Sequence, residues 1–232
     1  GAFGACHQWQ RALALWQDMR ARLVAPDARS ASAAIIACEK AGQWQHALAV
    51  LQEVQEKGLQ ADAATYNTAI NACGSSRQWA RALDVLGSMH QLQVDRDLIS
   101  YTTAVTACVK SQHWQEACGL LSVLREEGLT PNVVTYSAAL SALEKVGRWQ
   151  QALAVLTEMG ERRVSANTIV CSVVISVCEK ASQWMPALAV LEDMQCRRLI
   201  VDTIAYNSAL SACEKSVKWQ LALTMLGGMQ GV

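Results

Sequence analysis

The chain has no excess of either charge: 20 lysines and arginines meet 20 aspartates and glutamates. Attraction to phosphate supplies most non-specific nucleic-acid affinity, so a neutral total excludes any argument for nucleic-acid binding from bulk charge. Only the distribution of charge can decide the question. There is no apolar run of about 18 residues and no basic leader, so neither a membrane span nor a targeting peptide is expected, and no membrane partner follows. Residue 1 is Gly rather than Met, and the chain reads as a piece of a longer one whose missing leader carries no weight about compartment. Cys-x-x-Cys, His-x-Glu and a glycine-rich phosphate loop are all missing. Cys171 and Cys178 have no histidine or second cysteine pair nearby to complete a metal site. No catalytic residue, metal, cofactor or small-molecule substrate is expected.

What the chain does have is one unit written repeatedly. Trp9, Trp44, Trp79, Trp114, Trp149, Trp184 and Trp219 stand 35 residues apart, without insertion or deletion. A fixed period of this length marks a solenoid, in which each unit buries its apolar face against its neighbours. Residues 1–232 are therefore expected to form a single array, with function spread over equivalent positions along one face. His7, His46, His90 and His113 fall in different columns of the repeat, which again argues against a catalytic constellation. If each unit begins just after an Asp or Asn, the complete copies are 28–62, 63–97, 98–132, 133–167 and 168–202. Partial copies flank them at 1–27 and 203–232.

Each copy contains two stretches of helical periodicity. In 133–167 the first runs from about Val134 to Lys145. The second, from Trp149 to Glu161, sets Trp149, Ala152, Leu153, Leu156 and Met159 at three- and four-residue steps, which is one helical face. Gly147 and Arg148 break the two, so each copy reads as an αα-hairpin. Alanine recurs at 12, 47, 82, 117, 152, 187 and 222, where two helices must approach closely. Leu51, Leu86, Leu121, Leu156, Leu191 and Leu226 are the expected inter-repeat core, with Trp16 in the first copy. The Trp column opens the second helix, and Met19, Met89, Met159, Met194 and Met229 close it. Cys38, Cys73, Cys108, Cys178 and Cys213 share a column with Leu143, and a place that exchanges Cys for Leu is apolar packing. Reduced thiols in an intracellular protein are expected.

The run from Val133 to Leu140 (VVTYSAAL), then Glu144-Lys145 and Gly147-Arg148-Trp149, then Ala152 to Met159 (ALAVLTEM), resembles the pentatricopeptide-repeat family. Ala64-Thr65-Tyr66-Asn67, Glu56-Lys57-Gly58-Leu59 and Leu129-Thr130-Pro131-Asn132 carry the same resemblance, which covers essentially the whole chain. Tetratricopeptide repeats compete, but their period is about 34. The resemblance implies an all-α fold, a right-handed α-solenoid of tandem helix-turn-helix repeats. It further implies sequence-specific binding of single-stranded RNA, one base per repeat. A mitochondrial or plastid setting is suggested by the resemblance alone, as is a protein effector acting alongside.

In that family the fifth and last residues of a repeat face the same base. Here the pairs are Ser32 with Asp62, Asn67 with Asp97, Thr102 with Asn132, Ser137 with Asn167, and Ser172 with Asp202, followed by an unpaired Asn207. A short hydroxyl leaves room for a purine, and the longer Asn goes with a pyrimidine. At the last place Asp accepts from the ring N–H of guanine or uracil, and the Asn amide donates to the bare ring nitrogen of adenine or cytosine. The implied preferences are G, U, A, A and G, then a pyrimidine. The second residue of a repeat is expected to pack on the base, as Ile99, Val134, Ile169 and Ile204 can, whereas Arg29 and Ala64 depart from the pattern. Lys40, Lys110, Lys145, Lys180 and Lys215, broken by Ser75, would form a phosphate-facing basic track that the net charge conceals.

Blander roles stand beside these. Asp27, Asp62, Asp97, Asn132, Asn167 and Asp202 are residues that cap helix N-termini. The lysines sit where they would complement the negative end of a helix, and Glu39, Glu144, Glu179 and Glu214 immediately precede four of them. The alternative function is a protein-interaction scaffold of tetratricopeptide type, which gains if Ala69, Ala104, Ala139 and Ala209 line the groove with no basic track beside them.

Overall fold

The computed structural model describes residues 2–21, 28–59 and 61–218, with side chains from Trp9. Asp27, Trp219, Ala222, Leu226 and Met229 lie outside the described residues. Those described form twelve helices and no strand: α1 (Ala2–Ala21), α2 (Ala28–Lys40), α3 (Trp44–Glu56), α4 (Ala63–Ser75), α5 (Trp79–Gln91), α6 (Leu98–Lys110), α7 (Trp114–Glu126), α8 (Val133–Val146), α9 (Trp149–Glu161), α10 (Thr168–Lys180), α11 (Trp184–Cys196) and α12 (Thr203–Lys215). The expected hairpin is present in every complete repeat, and the protein is an all-α solenoid. Trp44, Trp79, Trp114, Trp149 and Trp184 are the first residues of their helices. Trp9 is not, because α1 runs straight through it.

Helix ends follow from local chemistry. A residue in left-handed conformation closes the first helix of each hairpin: Gly42, Arg77, Gln112, Gly147, Ser182 and Val217, with φ between 55° and 68°. Gln43 N–H returns to the Cys38 carbonyl at 2.9 Å while Gly42 N–H returns to Glu39 at 3.0 Å. These are the paired bonds that satisfy carbonyls otherwise orphaned at a helix end. The same pattern recurs at Gln78 to Cys73, His113 to Cys108, Gln183 to Cys178 and Lys218 to Cys213. The cysteine column thus occupies the residue on which each turn closes.

The chain divides into two compact units, Gly1–Thr130 and Pro131–Val232. In the N-terminal unit α1 packs on α2, each first helix pairs with the second helix of its own hairpin, and the first helices α2, α4 and α6 stack in order. The C-terminal unit repeats this with α8, α10 and α12. Ala47, Ala82, Ala117, Ala152 and Ala187 are fully buried at the close approach, and so are Met89, Met159 and Met194. Leu51, Leu86, Leu121 and Leu191 fill the core as expected, each contributing about 1.5–3 kcal/mol by burial. Leu156 departs from its column and is only half-buried. The Trp column is also half-buried rather than core, with Trp79 stacked 4.2 Å from the His113 ring and Trp9 5.1 Å from His46.

All eight cysteines whose side chains are described are free thiols. Cys38, Cys73, Cys108, Cys178 and Cys213 are wholly inaccessible. Burial pushes the Cys73 and Cys178 thiols up to about 11 and Cys108 up to about 12, so they are protonated packing groups. Among the described residues no helix is long and apolar enough to cross a membrane.

Candidate functional site

At 100° per residue, the second, fifth, ninth, twelfth and thirteenth residues of a first helix fall within an arc of about 100°, while the fourth, seventh, eighth and eleventh face the core. The burial pattern follows this division. In α2 the buried set is Ala31, Ala34, Ile35 and Cys38. On the opposite stripe Ile99 is 63 % exposed in the N-terminal unit, and Val134, Ile169 and Ile204 are 63–64 % exposed in the C-terminal unit. Four large aliphatic side chains left in water at one repeat position have no packing role. Arg29 and Ala64 are exposed at the same place. Ala69, Ala104, Ala139 and Ala209, by contrast, are fully buried and do not line the stripe.

The last residue of each repeat caps the next first helix. Asp62 accepts from Thr65 N–H at 2.9 Å, Asp97 from Ser100 at 2.8 Å, Asn132 from Thr135 at 2.9 Å, Asn167 from Val170 at 3.0 Å and Asp202 from Ala205 at 2.8 Å. In each case the bond goes to Oδ1. Capping therefore occupies one side-chain oxygen and leaves the second polar atom of the group outside the bond. The Thr65 hydroxyl and N–H hold the Asp62 carboxyl below its ordinary value. For Asp97, burial pushes upward, but hydrogen bonds from Ser100 and Asn67 outweigh it and the net direction is down.

Three of the five expected pairs are brought together. Ser172 Oγ donates to Asp202 Oδ1 at 3.0 Å and to the Thr168 carbonyl at 2.8 Å. The Asn67 amide bonds the Asp97 carboxylate, and its Oδ1 is left buried without a partner. Ser32 reaches Asp62 through Thr65, with Oγ to Oγ1 at 2.5 Å and Oγ1 to Asp62 Oδ1 at 2.6 Å. Thr102 and Asn132 belong to different units. Thr102 is half-buried in α6, its hydroxyl donating to the Leu98 carbonyl at 2.7 Å. Ser137 is half-buried in α8 and Asn207 is exposed in α12. Beside Asn67 a cavity of about 340 Å³ opens, lined by Glu39, Asn71, Thr102 and Thr106 among others.

Lys40, Lys110, Lys145, Lys180 and Lys215 are all exposed at the ends of their helices. They are not equivalent. Lys180 Nζ donates to Glu144 Oε1 at 2.9 Å and Lys215 Nζ to Glu179 Oε1 at 3.0 Å, each carboxylate belonging to the preceding repeat. Ser176 Oγ donates to the same Glu144 oxygen at 2.9 Å. Lys110 meets only a hydroxyl, Ser75 Oγ at 3.3 Å. Glu39, which has Ser75 where a lysine would reach it, is bonded by Asn71 Nδ2 at 2.6 Å. The sequence places Glu144 and Glu179 each beside a Lys, yet each bond runs to the lysine 36 residues later. A Glu-to-Lys spacing of one repeat plus one residue was the signal that could have found it.

The family model for the pentacotripeptide-repeat region of PRORP matches residues 17–170. No curated protein matches the chain. Among solved structures, the pentatricopeptide repeat protein PPR10 from maize is similar with a TM-score of 0.75 and 27% identity, over 97% of this chain and 32% of that one. The same protein in complex with an 18-nt psaJ RNA element gives 0.66 and 24% identity, over 100% and 32%. The PPR domain of Arabidopsis thaliana protein-only RNase P 1 in complex with tRNA gives 0.65 and 18% identity, over 78% and 95%. The likeness to the last two is one of fold. The chain spans about a third of the length of the maize protein.

Proposed function

The chain belongs to the pentatricopeptide-repeat family, and from that premise we propose that it binds single-stranded RNA along the stripe of its first helices, one base per repeat. The observation that carries the reading is the recurrence of an exposed aliphatic residue, at Ile99, Val134, Ile169 and Ile204, beside a polar pair. An aliphatic surface meets the face of a base, and the fifth and last residues meet its edge. The buried, unpartnered Oδ1 of Asn67 is the kind of acceptor that a base edge satisfies on binding. RNA-bound proteins of the same fold support the choice of ligand.

The preferences are G, U, A, A and G from the N-terminal repeat onward, then a pyrimidine at Asn207, with the exposed lysines near the phosphates. The chain acts by occupancy of a transcript or by placing an effector, with no chemistry of its own, in RNA processing or stability within an organelle. The alanine column that would have favoured a protein scaffold, Ala69, Ala104, Ala139 and Ala209, is fully buried and does not line the stripe.

Selection of a randomised single-stranded RNA pool on the purified chain at two salt concentrations tests the reading. Enrichment of a GUAAG-like core, with binding that weakens as salt rises, is the expected result. No enrichment and no binding at low salt would sink it.

A further inference from the structure

Three of the lysines at the ends of the first helices, Lys110, Lys180 and Lys215, divide into two kinds, and the division follows the residue 36 places earlier. Glu144 and Glu179 stand there for Lys180 and Lys215, and Gly74 stands there for Lys110. Both carboxylates are less exposed than the lysines they hold, 28 % against 46 % and 21 % against 44 %. Ser176, one turn before Lys180 on α10, also bonds Glu144. Glu179 is similarly held: burial pushes its carboxyl up, but hydrogen bonds from Lys215, Ser211 and Ser208 bring it below the ordinary value. The acid is thus the fixed member of each pair and the lysine head the movable one.

Resting on the RNA-binding reading above, we infer that Glu144 and Glu179 are attenuators of phosphate binding: each holds the next repeat's lysine until a phosphate displaces it, then remains behind as a fixed negative charge. A phosphate arriving at Lys180 or Lys215 must break an ion pair and sit near the carboxylate it has stripped. At Lys110 the same phosphate displaces a hydroxyl and meets no such charge. Phosphate affinity is therefore unequal along the chain, strong at Lys110 and damped at the last two lysines. The two ion pairs also neutralise Lys180 and Lys215 where they stand, which limits indiscriminate adhesion to polyanions.

The double variant Glu144→Gln/Glu179→Gln keeps the shape of both side chains and an oxygen for Ser176 to bond. Its binding to a fluorescein-labelled, randomised single-stranded RNA is compared with the parent over a salt series. The control Glu161→Gln/Glu192→Gln makes the same change of charge at exposed positions on the second helices α9 and α11. Freed lysines should tighten binding about 3- to 10-fold and steepen the log–log salt slope by up to about 1.4, two contacts at about 0.7 each. Thermal unfolding of each variant reports a purely structural role, which would lower the melting temperature without moving the slope.

Unchanged affinity and slope in the double variant would overturn the inference while RNA binding itself stood. An equal gain in the control would overturn it too, reducing the effect to net charge. A parent that fails to bind and a double variant that binds would support attenuation in its strongest form. If neither binds at low salt, the proposed function falls and the inference with it.

Discussion

In the N-terminal unit Gly74 lets α4 approach α6 so closely that a Cβ there would lie 2.7 Å from the Ala107 Cβ. The equivalent place in the C-terminal unit is Glu144, where the neighbouring first helix leaves room for a side chain and its carboxylate crosses to Lys180. At Gly74 this position serves backbone proximity, and at Glu144 and Glu179 it serves an ion pair. The exposed lysine downstream inherits the choice, and the two units carry the same lysine column with different electrostatic surroundings.

The most forceful way to break this contrast is Gly74→Glu, which tries to write the C-terminal unit's acid into the N-terminal one. Overpacking at a contact under 3 Å should cost about 1–3 kcal/mol, read as a lower denaturant midpoint. An unchanged midpoint would mean that the close approach at Ala107 is not obligatory. The comparison is sharpened by Lys110→Gln set against Lys180→Gln. Loss of Lys110 should weaken RNA binding by about 1 kcal/mol and flatten the salt slope by about 0.7, and loss of Lys180 should change both by less than half as much. Equal losses would erase the distinction.

A third experiment tests the base-reading columns with little disturbance of the fold. Asn132→Asp/Asn167→Asp keeps the Oδ1 cap and should move the two central preferences from A toward G, seen by resequencing the selected RNA. Replacing the same residues by Ala should cost about 1 kcal/mol per cap. A preference that stays on A in the Asp variant would leave these residues as caps and nothing more.

The smallest effect at neutral pH concerns the buried thiols. Their folded pKa values lie above the ordinary 9.0, so the folded state holds protons that the unfolded state releases. Stability is unaffected below about pH 9 and falls as pH climbs toward 11–12. Cys73→Ala/Cys108→Ala should flatten that alkaline loss in a denaturant series more than Cys178→Ala does. An alkaline loss that persists unchanged would assign it elsewhere.

The periodicity made the hairpins legible, because a 35-residue spacing leaves the second helix little freedom of register: Trp149–Glu161 is the range that the apolar steps indicate. It also misled at Trp9, which lies within α1 rather than at the start of a helix. Leu156 shows the limit of reasoning by column, since equivalent residues share a backbone position but not the same neighbours. At the candidate site the caps could be read from residue type, whereas the exposed aliphatic column was pointed to by the family resemblance. The partners of Lys180 and Lys215 could not, because adjacency in sequence suggested a Glu beside each lysine, while helix stacking brought the Glu of the preceding repeat to it.

The caps at Asp62, Asp97, Asn132, Asn167 and Asp202 bear on how such an array can change over generations. A letter at this column is rewritten at least cost with a residue that also starts a helix, which favours Asp, Asn, Ser, Thr and Gly. Substitutions outside that set give up a cap worth about 1 kcal/mol, whatever the ligand. The vocabulary available to the array is narrow for a reason unrelated to what it reads.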